Sequence, residues 1–477
     1  MTQHVIPFLG NPQQRGTGTG DERFVNVLFE PVKTPSPSEH PFTCFKRPGL
    51  AAHSQPSGST ATGRGLYAWG ATGKIYSVFD NKIYANGSDM GVTLAASSGR
   101  CWFVEKHVST GTQHLIMCDG TDNYNITTAD AITQIDENDD ADYPTSNLGC
   151  IVFLDGYLFQ AQSNGKLWNT DLNSATAWTS TSFLSVAEYG SDLEAIWRQK
   201  DQIVAASKNR LQFYFDNGNP TASPLLLIDQ NTLGFGIATK NSLATYGEVA
   251  MFVGDTPGEA AARRVYLMQS LQVKEISTPY INRFLQAEGS SISSCTAWMG
   301  QVAGQLVYVL NLASASRTFV YSIDHGYWCE WQVAGAATKF TGGYATSLNG
   351  TTYVQDVASG DILTLSPTTY QDDSTNFTVT LQTNRLTLGD PDIKRQVSLD
   401  VIGDNTTGNL AVSYSDDDYA NFSTARNIDM SRNEKRLKNL GAFYGRAFKF
   451  TFTDNYSLRL MGFVISLPED DMRVKKP

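Results

Sequence analysis

One short unit recurs along this chain, and the recurrence limits what it can become. Residues 65–87, "GLYAWGATGKIYSVFDNKIYANG", hold three short β-type runs separated by Gly, Asn and Asp turns. The unit returns at 149–171, turning at Asp155-Gly156 and Asn164-Gly165, and at 193–216, turning at Lys200-Asp201 and Lys208-Asn209. Weaker copies lie at 100–127, 242–276, 293–331 and 341–365. A repeat every 45 residues or so (roughly) belongs to propellers and solenoids. Apolar side chains alternate, as at Ile203 and Ala205 or Leu211, Phe213 and Phe215. That is the period of a strand, which excludes a helical solenoid. The expectation is an all-β protein built on a β-propeller of about seven blades, or six if ragged copies merge. Burial between blades is expected for Ile75, Val78, Phe79, Ile151, Phe153, Ile203, Leu211, Phe213, Val249, Phe252, Val307, Val309 and Phe319.

The flanks break the pattern. Residues 1–60 are rich in Pro and Gly and read as an extended N-terminal arm, within which "FVNVLFEPV" and "FTCFKRPGL" could each add an edge strand. The propeller is expected over 61–368. Longer alternating runs such as "FTVTLQTNRLTL" and "RAFKFTFTD" then suggest a β-sandwich over 369–467, followed by a tail at 468–477. "STPYINRFLQAE" is the exception, a short helix capped by Ser277 or Thr278 with Pro279 in its first turn. No apolar run is long enough to span a membrane as a helix.

Chemistry is sparse. Gly70-Ala-Thr-Gly73-Lys74 looks like a phosphate loop, but only two residues part its glycines and Ile75 stands where a Ser or Thr must reach magnesium. The flanking runs are strands, so hairpin glycines are the simpler reading. The six cysteines are scattered without a CxxC pair, as buried thiols are. In "DENDDADYPT" Ala141 replaces the glycine a calcium loop needs, and Asn147 replaces its closing glutamate. "SYSDDDYANFS" resembles the Asp-box hairpin of sialidase propellers, but Ala420 stands where that motif needs Gly, and a Ser/Asp turn explains it better. His325 and Cys329 are four apart, yet the tryptophans around them fit a packed strand better than a dyad. No catalytic residue, cofactor site or metal site is therefore expected. The net charge of −11 argues against general nucleic-acid affinity, which clustered Lys and Arg carry.

The order of several segments resembles one family. "LGFGIATKNSLATYGEVAMFVGD", "RRVYLM", "QVKEISTPYINRFL" and "FVYSIDHGYWCEW", with the earlier "VNVLFEPV" and "FKRPGL", is similar to the packaged-DNA stabilisation, or tail nozzle, proteins of short-tailed bacteriophages. The resemblance runs from about residue 24 to 467 and is weaker in the first blades. It rests on packing and turn residues in sequence order. It implies a non-enzymatic virion protein of the phage tail, assembled in the host cytoplasm. Such a protein forms a ring, usually a hexamer, below the portal and adaptor, works with a tail needle, plug or fibre, and passes duplex DNA without reading its sequence. Asp136, Glu137, Asp139, Asp140, Asp142, Asp416, Asp417 and Asp418 are the candidates to line that channel. The rival readings are a propeller that binds or cleaves host carbohydrate and a host propeller serving as a partner scaffold.

Overall fold

The computed structural model describes residues 2–8, 22–32, 41–58, 60–107, 111–186, 192–219, 221–256, 262–336, 338–389 and 392–468. Seven antiparallel blades follow one another around an axis. Blades 1 to 6 occupy 63–93, 102–135, 147–185, 193–227, 236–275 and 296–331, and blade 7 begins at 342. Within a blade the connections are tight. At the first hairpin of blade 3, Asp155 and Gly156 both adopt positive φ (48° and 94°), the pair a type I′ turn demands. Gly70–Lys74 is likewise a hairpin, closed by the Gly73 amide donating to the Trp69 carbonyl at 2.9 Å, while Lys74 pairs with Asp130.

Blade 7 is not made from consecutive chain. Its first three strands, Gly342–Leu348, Thr351–Asp356 and Ile362–Ser366, are completed by Gly49–Ser54, which pairs antiparallel with the third. The ring is then sealed against blade 1. Gln355 accepts from the Gly65 amide at 3.0 Å and donates to the Val78 carbonyl at 2.9 Å. Gly63 lies so close to blade 7 that a Cβ would sit 2.6 Å from the Asp356 carbonyl oxygen.

The rest of the N-terminal segment enters the sandwich. One sheet runs Val27–Pro31, Phe42–Lys46, Arg459–Leu467, Ser398–Gly403, Arg436–Lys438, with Thr2–Pro7 also pairing with Arg459–Leu467. The other runs Arg23–Val25, Val379–Gln382, Ala447–Phe452, Asn409–Ser415, Arg426–Asp429. Arg23–Val25 also pairs in parallel with the last strand of blade 6, so a single nine-stranded sheet crosses from propeller into sandwich. Where composition suggested boundaries near 60 and 369, the sheets pass over both. Val27, Leu28 and Phe29 are fully buried, and Phe8 meets Phe450 edge-on at 5.1 Å. Burial of each such side chain contributes about 1.5–3 kcal/mol, enough to hold the segment in place. Much of the Pro- and Gly-rich arm (9–21 and 33–40) and all of the tail beyond Pro468 lie outside the described residues.

Of the expected core positions, Phe153 and Val249 are half-buried and the others are buried. The helix spans Pro279–Ala287 between blades 5 and 6, with Thr278 as its N-cap accepting from the Ile281 amide. Ile281 and Leu285 form its buried face.

Candidate functional site

The first strands of all seven blades surround an axial cavity with two lobes. One lobe, of about 710 Å³, lies among blades 2 to 5, and the other, of about 450 Å³, among blades 1, 2, 5, 6 and 7. Aromatic side chains, among them Tyr67, Trp102, Phe103, Phe153, Trp197 and Tyr344, form part of the walls. Tyr67 stacks on Phe103 at 5.5 Å and donates to Glu105 at 2.9 Å. The larger lobe is edged by two exposed ion pairs, Arg198–Asp201 at 3.7 Å and Lys200–Glu248 at 3.6 Å. Arg100 lies in the smaller lobe, stacked 4.0 Å over Trp102 and donating to the Leu243 carbonyl at 2.8 Å across the axis. Burial lowers its pKa below the usual guanidinium value. No histidine lines either lobe among the described residues, and no group of three His, Cys, Asp or Glu is placed to hold a metal ion. The arrangement suits binding by stacking and charge.

The thiol candidate is placed in packing. Cys329 is buried in the core shared by propeller and sandwich, near Cys44, whose thiol burial pushes well up. His325 sits in the preceding turn.

The acidic candidates fall on two separate bodies. Asp136–Asp142 connects the outer strand of blade 2 to blade 3. Asp140 accepts from the Trp178 amide at 2.7 Å and Asp142 from the Ser180 amide at 3.0 Å, which staples the loop to the outer strand of blade 3. Asp136 accepts from the Asn138 amide at 2.7 Å, and this bond holds its pKa below the carboxylate norm. Glu137 and Asp139 are exposed. On the sandwich, Asp416 forms a two-pronged pair with buried Arg446, both contacts at 2.7 Å, and Asp418 pairs with Arg385 at 2.7 Å. Asp417 accepts from the Asn421 side chain and amide and from Ser415, which pulls its pKa down to about 2. Charge was legible in the sequence, but the partners that consume much of it were not.

A polar knot that sequence reasoning missed lies where the two bodies meet. The five N–H groups of fully buried Arg47 reach Asn26 Oδ1, the Pro48 and Gln332 carbonyls and both oxygens of Asp372. Its plane also lies 3.9 Å over Phe377. Asn26, at φ 57°, additionally accepts from the Gln332 amide and donates to the Thr378 carbonyl. Nearby, Gln305 donates to the Phe29 carbonyl while Tyr327 accepts from the Phe29 amide, both at 2.8 Å. In the sequence Arg47 falls within "FKRPGL", read only as an edge strand and a family segment, and its partners Asp372 and Gln332 lie far along the chain.

Fold and site together define a seven-bladed β-propeller joined through a shared sheet to a composite β-sandwich. Known proteins narrow this further. The family described as "Phage_stabilise: Bacteriophage P22 Gp10, beta-propeller" matches residues 24–370, and the chain belongs to it. Membership makes it a phage structural protein of the virion. No curated protein matches the chain. Among solved structures, virginiamycin B lyase from Staphylococcus aureus is similar at 13% identity and TM-score 0.42, covering 68% of this chain and 99% of that one. The WD40 repeats of RRP9 are similar at 9% identity and TM-score 0.41, covering 68% and 99%. Likeness at that level carries nothing about activity. No helix of the described residues is long and apolar enough to cross a membrane.

Proposed function

We propose that this chain is a subunit of a closed ring in the phage tail, a hexamer in the sense the family resemblance implies, which extends the DNA channel below the portal and adaptor. Its role is to help retain the packaged genome, in concert with a needle, plug or fibre protein, and then let the duplex pass. The observation that carries this reading is the continuity of propeller and sandwich among the described residues. A continuous sheet and the Arg47 knot join propeller and sandwich into one block, and a rigid block with two unlike faces suits the heterologous contacts from which rings close. The propeller's own axis does not suit DNA. A duplex roughly 20 Å across, with a major groove alone of about 12 Å, exceeds a cavity that Arg100 spans. The path therefore runs between subunits. Exposed Glu137 and Asp139, with the less freely charged Asp136, Asp140, Asp142, Asp416, Asp417 and Asp418, are proposed for its wall. Their repulsion of phosphate acts only within about 8 Å at physiological salt.

Imaging of virions, or of the chain reconstituted with portal and adaptor, tests this. Copies surrounding the axial channel are expected. Copies found only on peripheral fibres would refute the ring and favour a carbohydrate-binding or carbohydrate-cleaving tail protein. The aromatic walls of the axial cavity are the one feature that favours this second reading, and incubation with bacterial surface polysaccharide tests it directly.

A further inference from the structure

Three buried arginines set the standard for this fold. Arg47 has five acceptors, including both oxygens of Asp372. Arg64 donates to the backbone carbonyls of Asp80, Ala96, Ser98, Gly99 and Asp119. Arg446 reaches both oxygens of Asp416, Gln396 and the Leu440 carbonyl. Taking a cation out of water is costly unless its hydrogen bonds are replaced, and in each of these cases they are.

Arg100 departs from that standard. Its side chain is half-buried, with the guanidinium against Trp102 and Tyr344, yet it makes one hydrogen bond, to Leu243, and no carboxylate lies within ion-pair distance among the described residues. Its remaining donors belong to the wall of the 450 Å³ lobe. A second cation stands at the same end of the axis. Lys240 bridges to the Leu148 carbonyl of blade 3 and, like Arg100, acts electrostatically on the buried Cys150 thiol. It too has no acidic partner among the described residues. Arg100 thus faces, without a counter-charge, a lobe far larger than one water molecule requires, and Lys240 stands behind that wall.

We propose that the axial cavity is a binding site for a small oxyanion, a phosphate or a carboxylate, held by Arg100 with field support from Lys240. The flat guanidinium presents paired N–H groups that match two oxygens of such a group, and stacking on Trp102 fixes its plane. The aromatic walls leave room for an apolar or sugar body attached to the anion. The site stands independently of the ring, since it lies on the propeller axis and away from the proposed DNA path.

Calorimetric titration of the whole chain with inorganic phosphate, and separately with glucuronate, at fixed ionic strength tests this. Saturable binding of one probe is expected, and which one binds identifies the chemistry. Arg100→Gln should weaken it about tenfold or more, the worth of a charged hydrogen bond. Lys240→Gln should weaken it less. Folding of each variant is checked by its melting temperature, and Lys240→Gln supplies a second reading if Arg100→Gln does not fold. Absence of saturable heat with both probes, or equal affinity in wild type and both variants, would overturn the proposal.

Discussion

Removing the charge at position 47 should loosen the joint between the two bodies before it unfolds either. In Arg47→Met, Asp372 loses both of its guanidinium contacts, at 2.9 and 2.6 Å, while its side chain stays only 9% exposed. The Pro48 and Gln332 carbonyls lose a donor each. Breaking a buried pair from one side typically costs about 3–5 kcal/mol, because the stranded charge cannot reach water. Asp372→Asn strands the cation instead and should fall in the same range. The double variant Arg47→Met with Asp372→Leu removes both charges and should cost less than either single change, although two carbonyls remain unsatisfied. Urea unfolding followed by tryptophan emission suits the measurement, since Trp331 lies 5.5 Å from the Arg47 guanidinium. A chain with two bodies need not unfold in one step, so amide exchange in 23–26 and 379–382 gives the local reading. The expected result is faster exchange there, with blades 2 to 4 unchanged. If both single variants stay within about 0.5 kcal/mol of wild type, an effect no larger than an ordinary surface substitution, and exchange at the joint is unaltered, the knot does not hold the bodies together.

A chain starting at residue 61 should lose the outer strand of blade 7 and four strands of the sandwich, so it should be aggregated or protease-sensitive; a cooperative melt like that of the full chain would contradict this. Alkaline pH should destabilise the protein. Burial raises the thiols of Cys44, Cys101, Cys118, Cys150 and Cys295, so above about pH 8.5 the unfolded chain releases protons that the folded one keeps. Lys46 and Lys106, lowered to about 8 by burial, act the other way between about pH 8 and 10.4, but they are two groups against five. Melting temperatures at pH 7, 8, 9 and 10 should fall beyond pH 8.5 and fall less steeply in Cys118→Ala; a flat or rising series refutes the assignment.

The blades were legible because each carries its own instructions. The alternation in 202–216 and the turn at Asp155-Gly156 specify strands and hairpins from neighbours in the chain. The helix was legible for the same reason, with Thr278, Pro279 and Ile281 all within one turn. Strand partners far apart in sequence were not. Nothing near Val25 announces Thr380, and nothing near Cys44 announces Leu460, because such pairings are selected by the assembled sheet. The candidate residues suffered likewise. Asp416 reads as free charge in the sequence, but Arg446 lies against it, and nothing near Arg100 in the chain announces its place beside Leu243 on the axis.

The strand that closes blade 7 also sets a timetable. Gly49–Ser54 leaves the ribosome early, but its partner follows much later, the Ala51 carbonyl waiting 313 residues for Thr364. At 5–20 residues per second that is about 15–60 s with an unpaired strand edge. An edge of that kind is an invitation to pair with another chain, and nascent copies from one message lie close together. Blades 1 to 6 can form as they emerge, but the circle stays open until residue 366 is free. Synthesis thus withholds the finished block until its last repeat is made, and a chaperone that shields 49–54 in the interval would raise the yield of closed propellers.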